Sequence, residues 1–202
     1  MKTKSKALLL TFCAVLLTAA SVLGTMAYLT SQDSATNTFT VGSVAITLDE
    51  QDVDNSTEGK DRDQANAYHL VPGHEYTKDP IIHVNAASED CYVFVKVENG
   101  ISAYEAAAEG GYKPISAQIL ANGWTALDGV ANVYYKEYAK EQADKDLEVF
   151  ENFKISDAAN TVNGWSDINA ENTQITIHGY AVQKDGFDTA KAAWDAAFGV
   201  SA

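Results

Sequence analysis

The sequence predicts a mainly β protein, an antiparallel β-sandwich with short peripheral helices, on three observations. After residue 40 most of the chain falls into short segments whose apolar residues alternate. Clusters of Gly, Pro, Asn and Asp separate these segments, and only two stretches carry helix signals.

Taken in order, "TFTVGSVAITLDE" places Phe39 and Val41 on odd positions and Val44, Ile46 and Leu48 on even ones. Side chains of a strand alternate with period two, so the change of parity at Gly42-Ser43 predicts a kink, bulge or short turn that hinges two strand pieces. "DPIIHVNA" and "CYVFVKVENG" are predicted to be neighbouring strands joined by residues 85–90, with Cys91, Val93, Val95 and Val97 on one face. "PISAQIL", "ANVYYKEYA", "LEVFENFKI" and "NTQITIHGYAVQ" read as further strands, the last with Ile175, Ile177 and Ala181 on one face. Ser102 and Glu105 have capping-box spacing, which predicts a short helix in "SAYEAAAEGG". In "FDTAKAAWDAAFG", Asp188 is the expected cap of a helix over Ala190 to Phe198 that ends at Gly199 and sends Phe187, Trp194 and Phe198 to the core. "DEQDVDNSTEGKDRDQAN" has no periodicity and reads as a loop.

The amino terminus reads as an export signal. Lys2, Lys4 and Lys6 precede an apolar run from Ala7 to Leu23, and Thr25 and Ala27 put small residues at the recognition positions for cleavage before Tyr28. A retained anchor is the rival, since about 20 apolar residues cross a bilayer. Thr11, Thr18, Ser21 and Gly24 interrupt the run, however, and no basic cluster follows it. Residues 1–27 are therefore assigned to a signal peptide that meets the membrane only transiently, which makes the mature chain a secreted one. Removing it takes three of the 14 basic residues and none of the 28 acidic ones, leaving 11 against 28, a formal charge of −17. Such a chain repels nucleic acid, whose binding depends on Lys and Arg clusters.

The chemistry-bearing residues do not form a recognisable catalytic pattern. Cys13 falls in the signal, so Cys91 is left without a disulfide partner and reads as a small buried hydrophobe. Asp52, Asp54, Ser56 and Glu58 alternate like calcium ligands, but Thr57 stands where a calcium loop needs glycine. Asn55-Ser56-Thr57 matches a glycosylation acceptor, a motif common by chance. Zinc-protease histidines are four residues apart on a helix. Here His74, with Glu75 beside it, lies in the turn-like "LVPGHEYTKDP", nine residues from His83 and separated from it by Pro80, while His83 and His178 lie in strand patterns; His69 is the fourth histidine of the mature chain. No metal, no cofactor and no catalytic residue are expected.

Two long stretches, "GTMAYLTSQDSATNTFTVGSVAITLDE" and "LVPGHEYTKDPIIHVNAASEDCYVFVKVEN", resemble the exported TasA and camelysin (CalY) family of Gram-positive bacteria. The resemblance covers about the first half of the chain and includes Ala35 to Gly42, Pro72-Gly73 and Lys78. It implies cleavage by a SipW-type signal peptidase and a jelly-roll β-sandwich at the cell surface or in the biofilm matrix. It also implies self-association into fibres by strand donation. A metallopeptidase label in the camelysins and a monomeric surface-adhesion module are the alternative readings.

Residues 28–41 suit the donor role, and residues 42–202 make up the sandwich domain. Ser31, Gln32, Asp33, Ser34, Thr36 and Asn37 offer little apolar area for a core strand, whereas Leu29, Ala35, Phe39 and Val41 share one face. Added to an open sheet edge, such a strip gains main-chain hydrogen bonds while its few apolar residues set the register. Gly42 and Ser43 are the expected hinge.

Overall fold

The computed structural model describes residues 43–168 and 173–199, together with Cys13. All elements below belong to the unit Val41–Ala202. The strands are β1 (Ile46–Gln51), β2 (Arg62–Asp63), β3 (Glu75–Thr77), β4 (Ile81–Val84), β5 (Cys91–Asn99), β6 (Thr125–Ala126), β7 (Val133–Tyr138), β8 (Asp146–Glu148), β9 (Asn152–Lys154) and β10 (Ile175–Gln183). Helices α1 (Ile115–Ala121) and α2 (Ala190–Phe198) complete the regular structure, with two short 3-10 turns at Ala159–Thr161 and Trp165–Asp167. The protein is mainly β and antiparallel throughout its ladders. One sheet has the order β2–β1–β4–β8, a second β10–β5–β7–β6, and β3 pairs with β9.

The two four-stranded sheets share one core. Ile82 and Val84 from β4 and Leu147 from β8 meet Cys91, Val93, Val95 and Val97 from β5, with Val44, Ile46, Leu48, Ile175, Ile177 and Ala181 packed around them. The predicted parity of β1, β5 and β10 is thus the parity observed. Strand β5 is buried on its other face as well. Tyr92 and Phe94 lie beneath Ala190, Ala193 and Trp194 of α2, which makes a second, smaller core. Phe187 packs against that cluster, and Phe198, though 39% exposed, lies 4.9 Å from the rings of both Tyr180 and Trp194.

Several sequence expectations need correction. β4 and β5 are not neighbours: β4 lies between β1 and β8, and β5 between β10 and β7. The connection turns from one sheet to the other, because the buried Ser88 side chain binds both the N–H and the C=O of Ala45, and Ser88 N–H bonds Asn85 C=O in a tight turn. "PISAQIL" is helix α1, not a strand. Ile115, Gln118 and Ile119 are its buried residues, and the apolar pair Ile115 and Ile119, four apart, satisfies a strand period as well as a helical one. "SAYEAAAEGG" forms turns and no helix. Glu105 is withdrawn from the capping role, since its carboxylate accepts from Asn99 Nδ2, the Tyr112 hydroxyl and Ile115 N–H.

"LEVFENFKI" is two strands, β8 and β9, joined through the buried Val149 and Phe150. They follow β4 and β3 past Pro80, whose C=O accepts from Val149 N–H while Lys78 N–H bonds Glu151 C=O. The stretch read as a loop contains the end of β1 and all of β2, which pair at Glu50↔Asp63 and Gln51↔Arg62. The α2 cap is Thr189, not Asp188: its Oγ1 accepts from Ala192 N–H at 3.1 Å.

Candidate functional site

Two strand edges face each other with no strand laid along them among the described residues. In an antiparallel ladder the hydrogen bonds alternate sides. Asn85 N–H bonds Ala45 C=O, so the odd residues of β1 face β4 and the even ones, Ile46 and Leu48, present their main chain to the opposite side. β2 covers that side only from Glu50 onward, and the Leu48 carbonyl accepts instead from Gln64 Nε2 at 3.2 Å. On β10, Gln174 C=O and Lys184 N–H both bond toward β5. Ile175, Ile177, Gly179, Ala181 and Gln183 therefore turn their main-chain groups away from it. β10 is a nine-residue edge strand, the sort of edge that natural sheets usually cover or blunt.

A cavity of about 960 Å³ opens beside these edges, with Leu48 on one side and Ile175 and Ile177 on another, above Phe153. That volume lies at the upper end of the range of ligand pockets. One wall is aromatic: Phe153 stacks on Tyr76 at 5.1 Å and meets the edge of Tyr68 at 5.2 Å. At Gly179 the two sheets draw together, for a Cβ there would lie 3.4 Å from both Ile46 and Ile82, so the cavity opens toward the Thr173 end of β10.

The polar part of the wall includes the buried Lys78 and Glu50 and the half-buried Asn66. Glu50 follows Val44, Ile46 and Leu48 at inward parity, and its two carboxylate oxygens accept separately from Lys78 Nζ and from Asn66 Nδ2, the latter at 3.0 Å. The Lys78 and Glu50 side chains are only 8% and 7% exposed. Removing either partner leaves a buried charge, a loss of about 3–5 kcal/mol. Lys78 also lies over the Tyr68 ring at 5.9 Å. Burial, then the charges of Glu50, Asp79, Asp54 and Asp63, raise the Tyr68 hydroxyl far above its usual range, so Tyr68 stays neutral.

Outside the cavity, a charged ladder crosses β1, β4 and β8. His83 Nε2 is 3.1 Å from Asp49 Oδ1, and Arg62 clamps Asp49 at 2.5 Å and Asp79 at 2.8 Å. In the acidic loop, Asp52, Asp54 and Asp63 each bring one oxygen within 4.8 Å of the others, the one group of candidate metal ligands among the described residues. Their oxygens already cap the loop: Asp52 accepts from Ser56 and Thr57 N–H, Asp54 from Ser56 and Ala67 N–H, and Asp63 from Ser56 Oγ. Glu58 is not in this group.

The residues singled out in the sequence fare unevenly. Thr25, Ala27, Tyr28, Leu29, Ala35, Phe39, Val41 and Gly42 lie outside the described residues. Ser43 is held in place, bridging to Ser88 and accepting from Glu89 N–H at 3.1 Å. His74 and Glu75 are exposed, and among the described residues His69 and His178 belong to no group of three candidate ligands, His178 having only Glu98 at 3.9 Å. Cys91 is fully buried, and burial, with Asp90 nearby, pushes its thiol up to about 11, as befits a packing residue. The Lys78 cluster was missed, although an acid at the inward parity of β1 was its signal. No helix among the described residues is long and apolar enough to cross a membrane. Comparison with family models, curated proteins and solved structures finds no match.

Proposed function

We propose that the chain is an exported structural subunit of extracellular fibres, akin to the TasA and camelysin family. After cleavage before Tyr28, each subunit lends residues 28–41 to the next in a jelly-roll-like sandwich. The observation that carries this reading is the pair of edges left open among the described residues, β1 at Ile46 and Leu48 and β10 from Ile175 to Gln183, on either side of a cavity with apolar walls. An incoming strand gains a ladder of main-chain bonds at about 1 kcal/mol net each, and burying a residue such as Phe39 adds about 1.5–3 kcal/mol. The contact is head-to-tail and does not close on itself, which yields a filament.

A second reading, a monomeric surface-binding module, is favoured by the polar cluster in the cavity wall, since ligand sites combine apolar walls with a few placed polar groups. Truncation separates the two. A mature chain that starts at Thr40, and another carrying Ala35→Pro, should keep their circular dichroism and form no fibres under the electron microscope. Fibres of normal length from the truncated chain rule out strand donation.

A further inference from the structure

The Lys78–Glu50–Asn66 cluster holds the two halves of an amide bond with a carboxylate between them. Lys78 supplies a primary amine, Asn66 a carboxamide, and one oxygen of Glu50 is bonded to each. The carboxamide is fixed on every side. Asn66 Nδ2 also donates to Gln51 C=O at 2.8 Å and reaches Asp63 Oδ1 at 3.4 Å, and Asn66 Oδ1 accepts from Val53 N–H at 2.7 Å. The lysine is fixed too, through its main-chain bond to Glu151 and the Tyr68 ring over its ammonium. As an ammonium, however, Lys78 carries three donors and finds one acceptor among the described residues, a poor arrangement for a buried charge.

The geometry points to Lys78 and Asn66 as the two ends of an autocatalytic intramolecular cross-link, an amide between Lys78 Nζ and Asn66 Cγ, with Glu50 as its catalytic residue. Glu50 Oε2 takes a proton from the Lys78 ammonium, and the freed amine attacks Asn66 Cγ. The new C–N bond forms as the carbonyl electron pair moves onto Oδ1, where the Val53 N–H stabilises the developing negative charge. Glu50 passes its proton through Oε1 to Nδ2 and takes up on Oε2 the proton that Nζ loses. The carbonyl re-forms, the Cγ–Nδ2 bond breaks, and neutral ammonia leaves through the cavity that Asn66 lines. Glu50 ends as a neutral carboxylic acid, and no oxidant, reductant or co-reactant is needed.

The product resolves the mismatch in the cluster. A secondary amide has a single N–H, which Glu50 accepts, and its carbonyl keeps the Val53 bond. The buried charges of Lys78 and Glu50 are gone together. Proximity takes the place of an external activating group, since one carboxylate binds both reacting groups, with Lys78 and Glu50 buried and Asn66 half-buried beside the cavity. The link ties the end of β3 to the segment after β2 and limits the freedom of the unfolded chain as a disulfide does.

The test is peptide mass mapping of the purified full chain under denaturing conditions. The expected result is a branched peptide joining Lys78 to Asn66, lighter by one ammonia than its two parts. Glu50→Gln, with the fold checked by circular dichroism, should give both peptides unlinked at full mass, as should Lys78→Met. Unlinked peptides of full mass from the unaltered chain overturn the proposal, and that result needs no variant to fold. Ammonia loss at Asn66 that persists in Lys78→Met identifies closure of Asn66 on its own main chain and also overturns it.

Discussion

His83 Nδ1 lies 2.6 Å from Asp146 Oδ1, so the edge strand β8 is fastened to β4 by a side-chain bond as well as by its ladder. Burial opposes protonation of His83, but hydrogen bonds to Asp146 and Asp49 outweigh it and raise the imidazole above its ordinary value. For Asp49, burial acts to raise the carboxyl and is outweighed by bonds from Arg62 and His83, which hold it below the usual range. A raised histidine contributes stability that is complete below its unfolded value of about 6.5 and is lost as pH rises through the folded value. A lowered carboxyl contributes above about 3.8 and loses its contribution as pH falls through the folded value. The contribution of this ladder is therefore greatest between those limits. The His83 imidazole resonances should titrate at higher pH than in the unfolded chain, and His83→Gln should remove the high-pH decline. A His83 midpoint at or below the unfolded value contradicts the ladder.

Tyr138 is opposite Cys91 in the β5–β7 ladder, and its hydroxyl is buried with no hydrogen-bond partner among the described residues. An unsatisfied buried polar group costs about 1–3 kcal/mol. Tyr138→Phe removes the group and keeps the ring, so urea unfolding should show equal or greater stability. A loss of more than about 1 kcal/mol would reveal a partner for the hydroxyl.

Gly73 sits at φ +80° after Pro72, and His74 N–H closes the turn on Val71 C=O at 3.2 Å. Proline followed by a residue of positive φ defines a type II turn, which favours glycine at the second central position. A Cβ at Gly73 would also collide with the Asp157 carboxylate. Gly73→Ala should lower the stability by about 1–3 kcal/mol with an unchanged urea m-value. Wild-type stability in that variant would show that the turn relaxes freely.

The fold was legible where one physical signal dominated. Alternation in β1, β5 and β10 marked real inward faces, because the apolar parity of Val93, Val95 and Val97 meets that of Ile46 and Ile177 across one core. It failed at α1, where Ile115 and Ile119 satisfy both a helix and a strand period. It failed again for the pairing of β4 with β5, since nearness in sequence says nothing of a serine side chain that turns the chain between sheets. The candidate site was less visible. Open edges are a property of the sheet order, and Lys78 looks like any surface lysine until Glu50, 28 residues earlier, is folded against it.

The place of β10 in its sheet also governs when the protein can fold. β5 is an inner strand of the second sheet, and one of its two neighbours is the last strand among the described residues. Asn99 pairs with Ile175, so this ladder must close a long intervening segment before its contacts are rewarded. A chain made from its amino terminus lacks that neighbour until β10 has been made. The first sheet and the β5–β7 ladder can therefore form before it, and β10 closes onto β5 as a later event.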